Sequence, residues 1–428
     1  MKIFENPPRE IWGEIAKRPA MDTCELSASV ASIIDDVRAR GDAALRNFSR
    51  KFERLYLDNF LVDEEEFLDA ENEVPQILKD AIGAAKENIE KFHVVDEPER
   101  RVVETTTGVT CWTRSLPIEK VGLYVPAGSA PLFSTVLMLA IPAKLAGCRE
   151  IVMCSPPGPD GRVNAATLYA AKVCGVTSAY KIGGAQAIAA MAFGTESVPQ
   201  VYKIFGPGNQ YVTEAKLQVM RTSVAIDMPA GPSEVAVLAD DSCVPAFVAA
   251  DILAQAEHGP DSQAILVTDS RCVLEEVLDA IETQIESLPR RETARAALRN
   301  SKALLVESIG SGVELLNEYA AEHLIIATRD ADRVAERVTN AGSVFVGNFS
   351  CESAGDYASG TNHTLPTNGA ARAYSGVSVA SFMKTLTFQR LNEDGVRRLG
   401  PTIEAMAEAE GLDAHRRAVS IRREYVGS

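Results

Sequence analysis

The chain is short of the residues that carry most reactive chemistry: among its 428 residues are five histidines, two tryptophans and eight cysteines. The cysteines, at 24, 111, 148, 154, 174, 243, 272 and 351, show no C-x-x-C pair and no dense framework, so reduced thiols are expected, many of them in a core. Positive charge is short too, with 43 Lys+Arg against 59 Asp+Glu and a net charge of −16. Without a basic footprint there is no counterion release to drive nucleic-acid binding, and anionic membrane surfaces are disfavoured for the same reason. An anionic ligand would have to be held by local dipoles or a few cations. No uninterrupted apolar run reaches the length of about 18 residues that suggests a membrane span. The longest apolar stretch, Val136–Ala146, contains Pro142 and Lys144 and reads as a buried helix. The start, MKIFENPPREIW, lacks a charged-then-apolar address pattern, and a cytoplasmic protein is expected.

What is present is enough for a large core: 46% of residues are hydrophobic. The length suggests roughly two to four domains. Residues 1–110 read mainly as helix, with Leu26, Val30, Ile33, Ile34 and Val37 at helical spacing and Val74–Phe92 amphipathic, as supporting helices would be. His93 ends that second helix as a cap or a solvated residue. From about residue 117 short β-rich runs alternate with helical stretches. KVGLYVPAG, EIVMCSPPG, AYKIGG and VYKIFGPG each precede a helix; after PAGPSE, the runs EVAVLAD, QAILVTD, ALLVES, LIIAT and GSVFVG resume the rhythm. This βα grammar predicts two α/β lobes with largely parallel sheets, divided near PAGPSE. The tail after Ser375 reads as polar and helical, too small to fold alone, and is expected to dock on another lobe or a second subunit.

Four Gly/Pro-rich loops follow the strands of the first lobe: PAGSAP at 126–131, GG at 183–184, GPGN at 206–209 and PAGPS at 229–233. Ligands of open α/β sheets bind beyond the carboxyl ends of the strands, so these loops outline a crevice. GPGNQY nearly matches G-x-G-x-x-G, with Tyr211 at the third glycine and Asp227 near the distance of a ribose-binding acid; alone, the match also fits an ordinary tight turn. In the second lobe Gln255 and His258, three residues apart, suit two ligands of one metal. Asp251 shares their face, and spacing does not choose among the three or exclude a capped helix end. Glu322–His323 closes a helix before the strand LIIAT, as a base and acid or as a solvated terminus. The loop CESAGDYASGTNHTLPT (351–367) carries Glu352, Asp356 and His363 without a core-forming period, as loops serving sites do and plain surface loops also do. Near the C-terminus Glu410 precedes His415, with Asp413 a candidate N-cap for a helix. Cys111 and Cys154 lie near the first crevice, where a thiol route to aldehyde oxidation would fit; core thiols are the favoured reading.

Taken in order, VGLYVPAGSAPLFSTVLMLAIPAKLAG, GGAQAIAAMAFGT, KIFGPGNQYVTEAK, DMPAGPSEV, ILAQAEHGPDSQAILVT, EHLI, GDYASGTNHTLPT and EGLDAHRRAV closely resemble the successive motifs of the histidinol dehydrogenases, across about residues 105–425. The resemblance implies oxidation of L-histidinol through L-histidinal to L-histidine with two NAD⁺, the last step of histidine biosynthesis, by a homodimer with one zinc per active site. It implies two incomplete Rossmann-like lobes, a short N-terminal arm (1–20) and a C-terminal dimer tail (378–428) exchanged between subunits. The NAD lobe would span 124–230, and a discontinuous catalytic and zinc lobe would join 21–123 to 231–377. Carried over by position, Gln255, His258 and Asp356 would be zinc ligands, completed by the partner subunit's His415, and Asp251 would lose its candidacy. Glu322 and His323 would be the catalytic pair. Ser233, Gln255, His258, His323, Asp356, His363, Glu410 and His415 would contact substrate, while Tyr124, Gln186 and Asn209 would contact NAD, leaving Asp227 without a cofactor role.

The chemistry agrees with those roles. Alcohol oxidation needs a group to take the hydroxyl proton as hydride leaves carbon, and histidine is suited to this near neutral pH. The aldehyde must then gain water, which a neighbouring carboxylate can activate. His323 is therefore expected to move protons in both halves, and Glu322 chiefly to activate water. A relative acting on another polar alcohol is the nearest rival; a zinc hydrolase and a non-enzymatic binding protein are more distant ones.

Overall fold

The computed structural model describes residues 1–18, 23–94, 101–127, 131–222, 224–228 and 231–427. Residues 128–130 of PAGSAP, residues 229–230 of PAGPS and the expected boundary at 20/21 lie outside them. The βα rhythm is realised as two parallel sheets with one topology. The first runs, in spatial order, Ser178–Lys181, Glu150–Ser155, Lys120–Tyr124, Lys203–Phe205 and Ala225–Ile226. Numbered by sequence within the lobe this order is 3-2-1-4-5, a Rossmann-like sheet one strand short of the six-stranded form. The second lobe repeats it with Lys302–Leu305, Gln263–Thr268, Glu234–Ala239, His323–Ala327 and Ser343–Val346. The central strand EVAVLA is buried at every position, as a parallel strand covered on both faces must be.

Several expectations change. The N-terminal arm contributes a strand, Lys2–Glu5, which pairs in parallel with Lys302–Leu305 at the edge of the second sheet. The early helices join the first lobe, not the second. Thr23–Arg40 packs on Gly184–Phe193 and Gln210–Met220; Glu64–Glu73 packs on Ala165–Cys174, and Gln76–His93 on Ser134–Ala146. The apolar face of the last helix, Ile82, Ala85 and Ile89, shares a core with Val121, Leu123 and Val136. Helical periodicity specifies an apolar stripe but not the sheet that receives it. His93 is buried rather than solvated. Strands also occur where helix was expected, at Val102–Thr106 and in the tail segment Met383–Leu391; both pair with Val109–Pro117 in an antiparallel sheet. Beyond it the tail is helical as expected, in Glu393–Ala409 and Asp413–Gly427. Asp413 is the first residue of the last helix, one place inside its expected capping position. Among the described residues no helix is long and apolar enough to cross a membrane.

Candidate active site

Two groups of loops carry the chemistry. The first lies beyond the carboxyl ends of the first sheet. Tyr124 ends a central strand, and its hydroxyl accepts the Gly184 N–H at 3.0 Å, tying that strand to the GG loop. Tyr124 and Gln186 are both buried in this crevice floor, and burial pushes the phenol up to about 12. In the GPGN loop the Asn209 side chain caps the helix Gln210–Met220, accepting from Tyr211 and Val212 N–H at 3.0 and 3.2 Å. Gly206, at φ +123°, approaches the Tyr124 backbone so closely that a Cβ would sit 2.1 Å from its carbonyl oxygen. The loop is clamped from below. Asp227 Oδ2 accepts the Gly206 N–H at 2.8 Å, and Lys216 Nζ donates to the Gly206 carbonyl at 2.9 Å. Lys216 and Asp227 are themselves a buried ion pair. Asp227 therefore shapes the loop from beneath and does not face a ribose. The close backbone approach and the helix N-terminus suit the phosphates of a dinucleotide, which need N–H donors and room.

The second group gathers at the amino ends of the second sheet's central strands. The preceding helix ends at Tyr319, and Ala320 takes a left-handed conformation, φ +55°. His323 is thus the first residue of a strand rather than a helix end, and this lets Glu322 and His323 converge. Both are buried, with the Glu322 carboxylate 3.7 Å from His323 Nδ1. Each is held by the backbone of Glu234 on the neighbouring strand. Glu322 Oε2 accepts the Glu234 N–H at 2.8 Å, and His323 Nδ1 lies 3.2 Å from the Glu234 carbonyl. A carbonyl can only accept, so Nδ1 carries a proton and Nε2 is the atom left to work. Nε2 faces Asp356 at 3.6 Å without a hydrogen bond.

The short helix Glu352–Tyr357 lies within the stretch expected to be loop. It supplies Glu352 and Asp356 at i and i+4, on one face. His258, Glu352 and Asp356 each offer a ligand atom, all within 4.8 Å of one another. With the Gln255 amide turned so that its nitrogen meets acceptors, it donates to Glu352 Oε1 at 2.8 Å and to the Glu234 carbonyl at 3.3 Å, which leaves its oxygen free to bind a cation. Glu352 Oε2, also buried, has no hydrogen-bond partner. Carboxylates, an imidazole and the orphaned Glu352 Oε2 are a donor set that fits a divalent cation of the zinc type.

Glu352 was named in the 351–367 stretch but given no role from the sequence; the signal was its four-residue spacing from Asp356. Asp251 supplies none of the three ligand atoms; its carboxylate accepts from the Glu352 backbone, and burial pushes it up to about 6.

Electrostatics mark the same place. Burial pushes Glu322 up to about 7, against the pull of His323. Burial works against charge on His323, yet Glu322, Glu352 and Asp356 outweigh it and hold the ring up to about 10. A bound dication would offset those carboxylates and return the imidazole toward the range of a general base. His363 sits between the lobes. Its Nδ1 donates to the Asp356 carbonyl at 2.8 Å, so its Nε2 accepts from the Thr135 hydroxyl at 3.3 Å. Ser233 precedes Glu234 and is half-buried. Glu410 and His415 are exposed on the tail, whose last helix packs chiefly on the helix before it; within one chain they do not join the site. Cys154 is fully buried in the core, where burial pushes its thiol up, and Cys111 lies on the antiparallel sheet.

Comparison with known proteins agrees with this picture. Residues 16–423 match the family model described as histidinol dehydrogenase. A protein of Bacteroides fragilis named histidinol dehydrogenase is 56% identical over 426 residues, covering 100% of both chains. One of Bacteroides thetaiotaomicron with the same name is 56% identical over 422 residues, covering 99% of each. The crystal structure of histidinol dehydrogenase from Elizabethkingia anophelis superposes with a TM-score of 0.97 at 50% identity, covering 100% of this chain and 99% of that one. Sequence, topology and site thus lead to one conclusion: the chain belongs to the histidinol dehydrogenase family.

Proposed function

We propose that the protein is a zinc-dependent, NAD⁺-linked L-histidinol dehydrogenase that converts L-histidinol through L-histidinal to L-histidine, the last step of histidine biosynthesis. The observation that carries this reading is the buried Glu322–His323 pair, hydrogen-bonded from one backbone residue and set beside a His–Glu–Asp cluster. When bound, NAD⁺ supplies a hydride acceptor for each of two oxidations, and zinc held by Gln255, His258 and Asp356 would orient the amine and imidazole of the substrate. In the first half His323 Nε2 takes the hydroxyl proton as hydride leaves the carbinol carbon, which becomes an aldehyde. In the second, Glu322 removes a proton from water as it adds to the aldehyde while His323 returns its proton to the former carbonyl oxygen, giving a hydrate; His323 then takes a hydrate proton as the second hydride leaves. The balance is one alcohol, one water and two NAD⁺ to one carboxylate, two NADH and three protons. Tyr124, Gln186 and Asn209 line the cofactor crevice in this reading, and Ser233 and His363 lie beside the substrate.

Glu410 and the zinc ligand His415 would come from a second copy in a homodimer. Their exposure on a tail that leaves its own lobes supports that arrangement. The split of roles is tested with Glu322→Gln supplied with L-histidinol or L-histidinal. Alcohol oxidation should survive better than aldehyde oxidation; equal loss of both would overturn the assignment.

A further inference from the structure

The Glu322–His323 pair is aimed by Glu234, and Glu234 is in turn gripped by a residue 216 positions away. Its backbone holds both members of the pair, while its side chain, 2% exposed, turns into a two-pronged contact with Arg18. Arg18 Nε donates to Oε1 at 2.9 Å and Nη2 to Oε2 at 2.8 Å. The Asn368 N–H completes the carboxylate at 2.7 Å.

The same guanidinium stacks 3.8 Å from the centre of the Tyr319 ring. Its Nη2 also donates to the Tyr319 carbonyl at 2.8 Å, at the end of the helix that leads through Ala320 into Glu322. Arg18 therefore touches both supports of the pair, the neighbouring strand and the preceding turn, without touching either member. An ion pair this buried is a weak source of net stability. It is a strong source of geometry, because a guanidinium fork admits one orientation of a carboxylate.

We infer that Arg18 and Glu234 form a positioning device for the dehydrogenase reaction: the N-terminal segment fixes the Glu234 peptide and the 319–321 turn, and so the aim of Glu322 and His323. The inference rests on the reading of that pair as the acid–base machinery. Rotation of the Glu234 peptide would release the Glu322 carboxylate and the Nδ1 proton of His323 together. Geometric slack of about 1 Å in such a constellation costs on the order of 100-fold in rate. A lysine at position 18 keeps the charge but not the fork.

The test uses the full-length, metal-loaded enzyme with Arg18→Met, Arg18→Lys and Glu322→Gln, alone and combined. Expected is a kcat loss of roughly 10–100-fold in Arg18→Met, with KM for L-histidinol and NAD⁺ within about twofold and metal content retained. Arg18→Lys should recover part of the rate. Combined with Glu322→Gln, Arg18→Met should cost less than it does alone, because part of its effect is the lost aim of the Glu322 carboxylate, which Glu322→Gln has already removed. An unchanged kcat, a loss confined to KM, or losses that simply multiply would overturn the inference. If Arg18→Met does not fold, Arg18→Lys decides: a lowered kcat at an unchanged melting temperature supports the device, and full activity refutes it. Should Glu322→Gln and His323→Gln keep full turnover, the reading of the pair fails, and the device with it. Should they abolish turnover while both Arg18 variants stay fully active, only the positioning inference fails.

Discussion

Gly206→Ala is the sharpest probe of how the first lobe makes its cofactor crevice. The added Cβ would lie 2.1 Å from the Tyr124 carbonyl oxygen and 3.0 Å from its carbonyl carbon. That strand is central, paired on both sides by Glu150–Ser155 and Lys203–Phe205, so the loop has to give way by about 1 Å to regain van der Waals distance. Backbone at φ +123° also strains any side-chain-bearing residue, at a cost of roughly 1–3 kcal/mol. Movement pulls the Gly206 N–H and carbonyl from Asp227 and Lys216, and each charge-assisted hydrogen bond contributes about 1.5–3 kcal/mol. The combined loss is on the order of 4 kcal/mol, a large share of a typical stability of about 5–15 kcal/mol. The expected outcome is a melting temperature lower by about 5 °C or more. In the fraction that remains folded, KM for NAD⁺ should rise more than KM for L-histidinol, since the distortion sits in the cofactor loop. Thermal melts and steady-state kinetics at saturating co-substrate measure both. A variant with wild-type melting and unchanged KM for NAD⁺ would refute the claim that this close approach shapes the crevice.

Other perturbations address the remaining supports. Lys302, which donates to the Ile15 and Lys17 carbonyls, is pushed down to about 8 by burial and then by Arg18 and Lys2. The unfolded chain therefore binds more protons between about pH 8 and the ordinary lysine value, and stability should rise with pH across that window. Lys302→Met should lack this rise in parallel chemical-denaturation curves; identical slopes would remove Lys302 as its source. His258→Ala should lose bound zinc by elemental analysis, and full occupancy would exclude it from the ligand set. An inactive His323 variant mixed with an inactive His415 variant should regain partial activity as verified heterodimers. No recovery would count against a site shared between subunits.

The parts of this molecule legible in the sequence are those written in local pattern. Strands such as EVAVLA and QAILVT are buried on both faces and so appear as continuous apolar runs, which is why the βα rhythm could be followed through both lobes. Glu322 and His323 were visible as reactive types, and the strand start that makes them converge follows from the left-handed turn at Ala320. Glu352 was harder, because its helix spans only Glu352–Tyr357, too short to show a period. Docking was not legible at all. Ile82, Ala85 and Ile89 announce a buried face, but their partner on the first sheet is a tertiary choice. Asp227 shows the opposite hazard: its spacing fitted a ribose contact, while in the fold its charge is matched by Lys216 beneath the loop. Met383–Leu391 is exposed at all positions except the partly buried Met383, Phe388 and Leu391, so it offered no two-residue period to set against the polar helices that follow it.

The most direct measurement is the yield of NADH from a limiting amount of L-histidinol, followed by absorbance with the purified enzyme and excess NAD⁺. Two NADH per L-histidinol consumed, with L-histidine as the product and no turnover in His323→Gln, is the result the account predicts. One NADH per substrate with L-histidinal released, or undiminished turnover in His323→Gln, would contradict it.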